Sequence, residues 1–487
     1  MSLDRRGFLK YGGLALAGAA GSAACAAPRH SRPSGKPDYT LRIGAGTVEL
    51  APGRVVTTTT YNGQFPGPLV RFTEGKPTVI DVYNDTGTAE QLHWHGQAVP
   101  VDVDGAAEEG TPYIPAHGMR RLTFTPGPAG FRFYHTHLTP GADLAGGQYS
   151  GQVGPVYIEP RQHPGAYDQE VFLTLKEFQP TLTRGEEMEQ TFLAGDEDAQ
   201  LREIGEAAMA RSLGRGMPPG YEVGYEAFSI NGRMLGAGEP IRVKAGERVL
   251  LHVLNGSATE ERSLALPGHT FTVVALDGNP VPKSVAVPVL WLGAGERISA
   301  VVTMNQPGVW ILGDLLDDDR HGGMGIVVEY AGQRGAPQWA APPPFQWDYR
   351  LFTQRGARAA TPDHVIDMLI EKQNAADNGF NVWTINGQRF AMPSKQPPME
   401  LQHGKRYRLH VRNASDDIHP IHLHRHTFEL TNIAGAATAG MRKDVAMLGG
   451  YQSIDVDFVA DQPGLSLFHC HQQLHMDFGF MALFHCS

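Results

Sequence analysis

One block of sequence occurs three times in this 487-residue chain, which limits it to architectures that join three copies of one small unit. Each copy opens on an Asn-Gly pair: Tyr61-Asn62-Gly63, Ile230-Asn231-Gly232 and Ile385-Asn386-Gly387. An alternating strand, a glycine, another alternating strand and an asparagine follow. The glycine-to-asparagine interval is nine residues every time, Gly75 to Asn84, Gly246 to Asn255 and Gly404 to Asn413. A second block recurs as Gly130-Phe131-Arg132-Phe133-Tyr134, Gly308-Val309-Trp310-Ile311-Leu312 and Gly464-Leu465-Ser466-Leu467-Phe468, each ending a hairpin. With 58 glycines and 35 prolines the chain is turn-rich, which predicts many short strands rather than long helices. The pattern predicts an all-β protein of three sandwiches over residues 38–160, 165–332 and 345–487, with linkers near 160–165 and 332–344. Residues 185–211 break the strand pattern with helix formers of mixed charge. They read as a solvated helix inserted in the middle copy, or as a rim over a substrate pocket.

Counting forward from these landmarks separates the copies. Nine residues past each asparagine stand His93-Trp94-His95, Leu264-Ala265-Leu266 and His422-Leu423-His424. Five past each late glycine stand His135-Thr136-His137, Gly313-Asp314-Leu315 and His469-Cys470-His471. The outer copies carry His-x-His at both places and the middle copy at neither, so histidine is not needed to build the sandwich. Residues i and i+2 of a strand face the same way, and each pair presents two imidazoles side by side. Eight imidazoles brought together would repel as cations and be costly to bury unpaired. As neutral ligands they suit a cluster of two or more metal ions between the first and third copies, with the middle copy as spacer. Cys470, between His469 and His471, points to the opposite face and needs a centre of its own, for which His419 and His475 are close in sequence. Two histidines and one thiolate are the trigonal set of a blue-copper electron-transfer site. With three cysteines in all, Cys25, Cys470 and Cys486, closed zinc–thiolate sites and iron–sulfur clusters lack ligands.

At these residues the sequence resembles the multicopper oxidases, in their three-domain, laccase-like form. The matching motifs are H-W-H-G (93–96), H-T-H (135–137), H-P-I-H-L-H-R-H (419–426) and H-C-H-Q-Q-L-H (469–475), with N-G-Q-F-P-G-P (62–68) and Q-P-G-L-S-L-F-H-C-H (462–471) in support. The resemblance implies three consecutive cupredoxin-like Greek-key β-sandwiches and four copper ions. Carried over by motif position, it makes His419, Cys470 and His475 the type 1 ligands and gives the type 2 ion to His93 and His422. One type 3 ion falls to His95, His135 and His471, the other to His137, His424 and His469. It also implies that a reductant gives electrons singly to type 1 copper and that the cluster reduces dioxygen to water. Asp104, in D-V-D-G, matches the family carboxylate that relays protons near the type 2 ion; otherwise it is an Asp-Gly turn. Three positions depart from the family pattern. Phe480 stands ten residues after Cys470, where many relatives have an axial methionine, with Met481 adjacent. The neighbours of His475 are Gln473, Leu474 and Met476, with Asp477 beyond, so no acid adjoins it. Arg425 replaces a glycine common in H-L-H-G-H.

The remaining sequence bounds the function. Residues 4–10, D-R-R-G-F-L-K, precede a short Gly/Ala/Leu-rich run and resemble a twin-arginine signal over 1–27, implying export to a periplasm or beyond with cleavage near Ala27. A net charge of −10 argues against nucleic acid as partner. His117, His269, His321 and His426 read as structural or surface residues, and Cys486 as a free or packed thiol. The leading expectation is a laccase-like oxidase of phenols or aromatic amines, working as a monomer. Its rival is a metallo-oxidase of Cu(I), Fe(II) or Mn(II), for which the acidic runs Asp317-Asp318-Asp319 and Asp196–Asp198 speak and the scattered 15 methionines do not. A nitrite reductase needs no doubled His-x-His pairs, and a non-catalytic envelope protein would have lost ligands.

Overall fold

The computed structural model describes residues 35–161, 166–184, 191–213, 220–354, 356–393 and 396–487. The predicted signal over 1–27, with Cys25, lies outside them, as do residues 162–165 of the first linker and 185–190 of the charged insertion. Among the described residues no helix is long and apolar enough to cross a membrane.

The fold is all-β. In the first copy, a four-stranded sheet runs Arg54–Tyr61, Tyr39–Ala51, Thr78–Asn84, Met119–Phe124. A second runs Val70–Thr73, Val153–Glu159, Gly130–His135, His93–His95. Ile43, Ile80, Val82, Trp94, Tyr134 and Val156 fill the core between them. The other two copies share a twelve-stranded sheet, whose halves meet where Tyr221 pairs with Phe380. A five-stranded sheet from residues 241–330 and another from 399–486 complete their sandwiches. A parallel pair recurs in every copy: Tyr39–Ala51 with Thr78–Asn84, Gln169–Arg184 with Arg248–Asn255, and His364–Asp377 with Arg406–Asn413.

The repeated asparagines explain why one sequence pattern gives one fold three times. Asn62, Asn231 and Asn386 have φ of 55°, 53° and 51°, and the glycines after them 71°, 73° and 72°. Both central residues of the turn are left-handed, which Asn-Gly tolerates best and which matches the twist of the flanking strands. Each side-chain oxygen then accepts a main-chain N–H from the strand alongside, of Arg42, Thr174 and Leu369, at 2.7, 2.8 and 2.8 Å. The strand-ending asparagines brace the next loop: Asn84 Nδ2 donates to the Thr88 and Ile114 carbonyls, Asn255 to Glu260 and Leu292, Asn413 to Asp417 and Gly449. In the outer copies that braced loop leads straight into the first His-x-His pair.

The helix in the insertion, Ala199–Leu213, is less solvated than its charges imply and docks on the third copy. Leu201 is buried against Ala414 and Tyr451, and the Arg202 guanidinium lies 4.4 Å above the Tyr451 ring. Asp198 is consumed as its cap, accepting the N–H of Gln200 at 2.8 Å.

Candidate metal centres

Short strands carry the histidines to one place. His93–His95 pairs antiparallel with Gly130–His135, setting His93 opposite His135. His419–Leu423 pairs antiparallel with Gly464–Cys470, setting His422 opposite His469. The two pairs of strands face each other, so that His93 stacks on His424 at 4.0 Å between ring centroids and His95 on His422 at 3.8 Å. In the middle copy the matching residues Leu264 and Leu266 are buried in the apolar core.

Among the described residues, four trios of histidine or cysteine have their ligand atoms within 4.8 Å of one another: His93, His95 and His422; His95, His135 and His471; His137, His424 and His469; and His419, Cys470 and His475; a fifth group joins His93 and His424 to Asp104. All these side chains are buried. Burial and mutual repulsion hold His95, His135, His422, His424, His469 and His471 well below the usual histidine range. They therefore stay neutral, as ligands must be.

Most rings are tied by one nitrogen and leave the other bare. His93 Nδ1 donates to the Asp104 carbonyl at 2.9 Å, His135 Nδ1 to Thr136 O at 2.7 Å and His422 Nδ1 to Asp444 O at 2.7 Å, and each Nε2 lacks a partner. His469 Nδ1 donates to the Cys470 carbonyl at 2.7 Å, and its Nε2 faces His424 Nε2 at 3.0 Å. His95 is turned the other way, with Nε2 against the Asp444 carboxylate at 3.1 Å and Nδ1 bare. Both nitrogens of His137 and of His471 are without a hydrogen bond. An apolar core does not leave this many nitrogens orphaned, whereas one tied and one bare nitrogen per ring is how metal-binding histidines are oriented.

The fourth trio stands apart. His419 Nδ1 and His475 Nδ1 are 3.1 Å apart, and Cys470 Sγ lies 3.7 and 3.5 Å from them. The point equidistant from these three atoms is about 2 Å from each, close to the roughly 2.0–2.3 Å of metal–imidazole and metal–thiolate bonds. Phe480 packs its ring 4.9 Å from His419, while Met481 points into a separate cluster with Phe390 and Leu467. Trp383 packs against both imidazoles, 4.3 Å from the His475 ring and 4.8 Å from that of His419. The donor sets fit copper: imidazole for the cluster, imidazole and thiolate for the separate trio.

Asp104 reaches both halves of the cluster, its Oδ2 2.9 Å from His424 Nδ1 and 3.1 Å from His93 Nδ1. Sequence reasoning missed its neighbours. Glu109 Oε1 lies 3.3 Å from His424 Nδ1 and accepts the N–H of Leu467 at 2.5 Å. Glu108 Oε2 lies 3.4 Å from His137 Nδ1. Burial and then the Asp104 carboxylate push Glu109 well up. The run D-G-A-A-E-E was the available signal. Asp444, Arg132 and Arg297 were missed as well.

Arg425 has a physical account. Its φ of 63° is one a glycine adopts freely, and the arginine offsets the strain with hydrogen bonds to the carbonyls of Val99, Leu465 and Pro463 at 2.9, 2.6 and 2.8 Å. Asp477, near His475, is tied to Gln473 and the Gly141 N–H at 2.7 and 2.8 Å. His426 and His269 are buried in hydrogen bonds to main chain and to Tyr330, His117 and His321 are at the surface, and Cys486 is a packed thiol against Ala460 O.

Three mutually close histidine trios beside a His₂Cys trio are the donor sets of a protein able to hold several transition-metal ions. Sequence profiles of the multicopper oxidases match residues 42–163, 206–320 and 361–487. Multicopper oxidase MmcO of Mycobacterium tuberculosis is 30% identical over 97% of this chain and 94% of its own. The crystal structure of a multi-copper oxidase from Pseudomonas thermotolerans superposes with TM-score 0.67 at 24% identity, covering 92% of this chain and 98% of that one. Fet3p, a multicopper oxidase that functions in iron import, superposes at 0.72 with 18% identity over 92% and 90%. The chain belongs to the multicopper oxidase family: it is a copper-binding oxidoreductase with oxygen as electron acceptor, folded as three cupredoxin-like sandwiches.

Gly96 tests the packing. Its φ is +75°, and a Cβ there would meet Asp444 Oδ2 at 2.5 Å and Arg297 Nη2 at 2.7 Å. Gly96→Ala is expected to lower the copper bound per chain, measured by elemental analysis, while circular dichroism retains the β signature.

Proposed function

We propose that this protein is a laccase-like multicopper oxidase, coupling one-electron oxidation of phenols or aromatic amines to four-electron reduction of dioxygen to water. His419, Cys470 and His475 would hold the type 1 ion, and His93 and His422 the type 2 ion. His95, His135 and His471, and His137, His424 and His469, would hold the type 3 pair, four coppers in all. When bound, these ions would supply the one-electron steps and the dioxygen chemistry. The observation that carries the reading is the link between centres: Cys470 gives its sulfur to one and its carbonyl to the Nδ1–H of His469 in the other. Electrons accepted beside His475 have a short covalent path to the cluster.

The protein's own groups order the rest. Asp104 Oδ2 holds the Nδ1–H of His424, and Glu109 Oε1 lies 3.3 Å from the same nitrogen, so this pair of carboxyls would carry protons to the site, with Asp104 as relay. Phe480, packed against His419, has no donor atom to offer, so His419, Cys470 and His475 would hold a type 1 ion without help from residue 480, which would raise its potential. The domains are 38–160, 165–332 without ligands, and 345–487 with the type 1 site. Export by the signal over 1–27 to a periplasmic location, and action as a monomer without nucleic-acid partners, complete the reading.

The alternative is oxidation of Cu(I), Fe(II) or Mn(II). Three acids of the runs that suggested it are engaged elsewhere: Asp319 pairs with buried Arg262, Asp317 with Arg320, and Asp198 caps a helix. What favours it instead is the set of carboxyls by the type 1 trio, Asp417 two residues from His419 and Glu261, which accepts a hydrogen bond from Gln472 at 3.0 Å. Burial pushes Glu261 up to about 8, which weakens its pull on a cation at neutral pH.

Oxygen uptake by the copper-loaded protein is expected to be fast with phenols and aromatic amines and slow with the metal ions; the reverse order would establish the alternative. Asp104→Asn is expected to slow uptake by about 10²-fold or more, while anaerobic bleaching of the blue absorption by the donor keeps its rate. Phe480→Met is expected to lower the type 1 potential in a redox titration; an unchanged potential would remove this role of residue 480.

A further inference from the structure

The middle copy contributes no ligand, yet it presents buried charge to the cluster. Arg132 of the first copy, Arg297 and Asp277 of the second, and Asp444 of the third are all 0% exposed. The Asp444 carboxylate accepts from Arg297 Nη1 at 2.6 Å and Nη2 at 2.7 Å, and from Arg132 Nη1 at 3.0 Å. Asp277 Oδ2 accepts the main-chain N–H groups of Asp444 and Val445 at 3.2 and 3.1 Å and pairs with Lys443 Nζ at 2.9 Å. Asp277 Oδ1 accepts the N–H of Arg297 at 3.0 Å, and the Asp277 carbonyl takes the Arg132 guanidinium. Lys443 also pairs with Glu296 at 2.9 Å. Arg132, Arg297 and Lys443 thus face Asp277, Glu296 and Asp444 in a network that is buried throughout.

Buried ion pairs of this kind rarely stabilise a fold more than apolar packing of the same volume would. Their consequence here lies in what Asp444 touches. Its carboxylate takes the Nε2–H of His95 and its carbonyl takes the Nδ1–H of His422. The carboxylate can only accept, so His95 must carry its proton on Nε2 and expose Nδ1, the reverse of His422. One residue fixes opposite tautomers on two rings that stack 3.8 Å apart. The middle copy also bounds a third ring: Gly295, at φ +81°, packs so close to His471 that a Cβ would lie 2.7 Å from the ring.

We propose that Asp444 is the positioning residue that sets the tautomer and orientation of His95 and His422, and that the middle copy serves the cluster by holding Asp444 through Arg297 and Asp277. This rests on the copper-cluster reading given above. An asparagine at 444 keeps the shape and the carbonyl contact to His422 but loses the charge that locks the arginines and the obligatory acceptor for His95.

The test uses copper-loaded full-length Asp444→Asn and, from the middle copy, Asp277→Asn, with copper stoichiometry, type 2 paramagnetic resonance, type 3 near-ultraviolet absorption and type 1 blue absorption read on the same samples. Asp444→Asn is expected to weaken cluster copper against a competing chelator by about 10–100-fold and to change the type 2 and type 3 signals, with blue absorption per chain unchanged. Asp277→Asn is expected to do the same more weakly, and decides the matter if Asp444→Asn does not fold. Unaltered cluster signals, or loss of blue absorption in step with them, would overturn the proposal, the latter because it marks a general packing defect. Absence of type 2 and type 3 signals from the unmutated protein would instead overturn the copper-cluster reading beneath it.

Discussion

Everything in this molecule depends on burying eight imidazoles side by side. A buried donor or acceptor left without a partner costs about 1–3 kcal/mol, and the cluster leaves bare nitrogens on His93, His95, His135, His137, His422 and His471. Ligation would engage these nitrogens, so metal binding and stability are expected to be linked. The sandwiches make this tolerable by tying the opposite nitrogen of most rings to a carbonyl or carboxylate. The lone thiol of Cys470 follows the same logic: burial pushes it well up as a free thiol, and a metal ion is what would make it a thiolate.

How much of this was legible follows from distance along the chain. The Asn-Gly turns, the nine-residue intervals and the His-x-His pairs are local patterns, and each specifies its contact within one copy. The two faces of a strand were equally readable, and the alternation about Cys470 agrees with its grouping with His419 and His475 apart from its neighbours His469 and His471. Asp444 could not be found in this way. It meets His95 from 349 residues away, and in sequence it is one acid after a lysine, like many on the surface. Arg132 and Arg297 sit inside strands where an arginine reads as solvent-facing, and only the meeting of three sandwiches reveals them as interior. The acid missing beside His475 was a different case. The family pattern puts it next to that histidine, whereas the buried carboxyls at the cluster, Glu108 and Glu109, follow Asp104 in the first copy.

Arg425 and Phe480 show two ways a chain can leave a family pattern. At 425 the backbone keeps a left-handed conformation that suits glycine, and the arginine is held by carbonyls of the first and third copies. The substitution exchanges backbone ease for a clamp across the interface that contains the cluster. At 480 the side chain alone departs from the pattern, because the main chain there stays tied to the trio: Cys470 N–H donates to the Phe480 carbonyl at 3.3 Å. The strand register sets His469 opposite Met481, so residue 480 is still delivered to the trio and only the donor atom is lost. Met481, one place on, cannot substitute for it because the alternation of the strand sends it to the other face.

The middle copy is where these threads meet. A sandwich that only had to separate its neighbours could be apolar on the side it turns to them, and Leu264 and Leu266 show that this copy fills its histidine positions with core residues. It nevertheless keeps Asp277, Glu296 and Arg297 buried, at the place where the strands of the other two copies bring His95 and His422 together. Hydrophobic burial is non-directional and cannot choose which nitrogen of an imidazole carries the proton. A carboxylate fixed by two guanidinium groups can. The cost of desolvating those charges is thus tied to orientation rather than to cohesion, which explains why an interface between three sandwiches is polar at its centre and apolar around it.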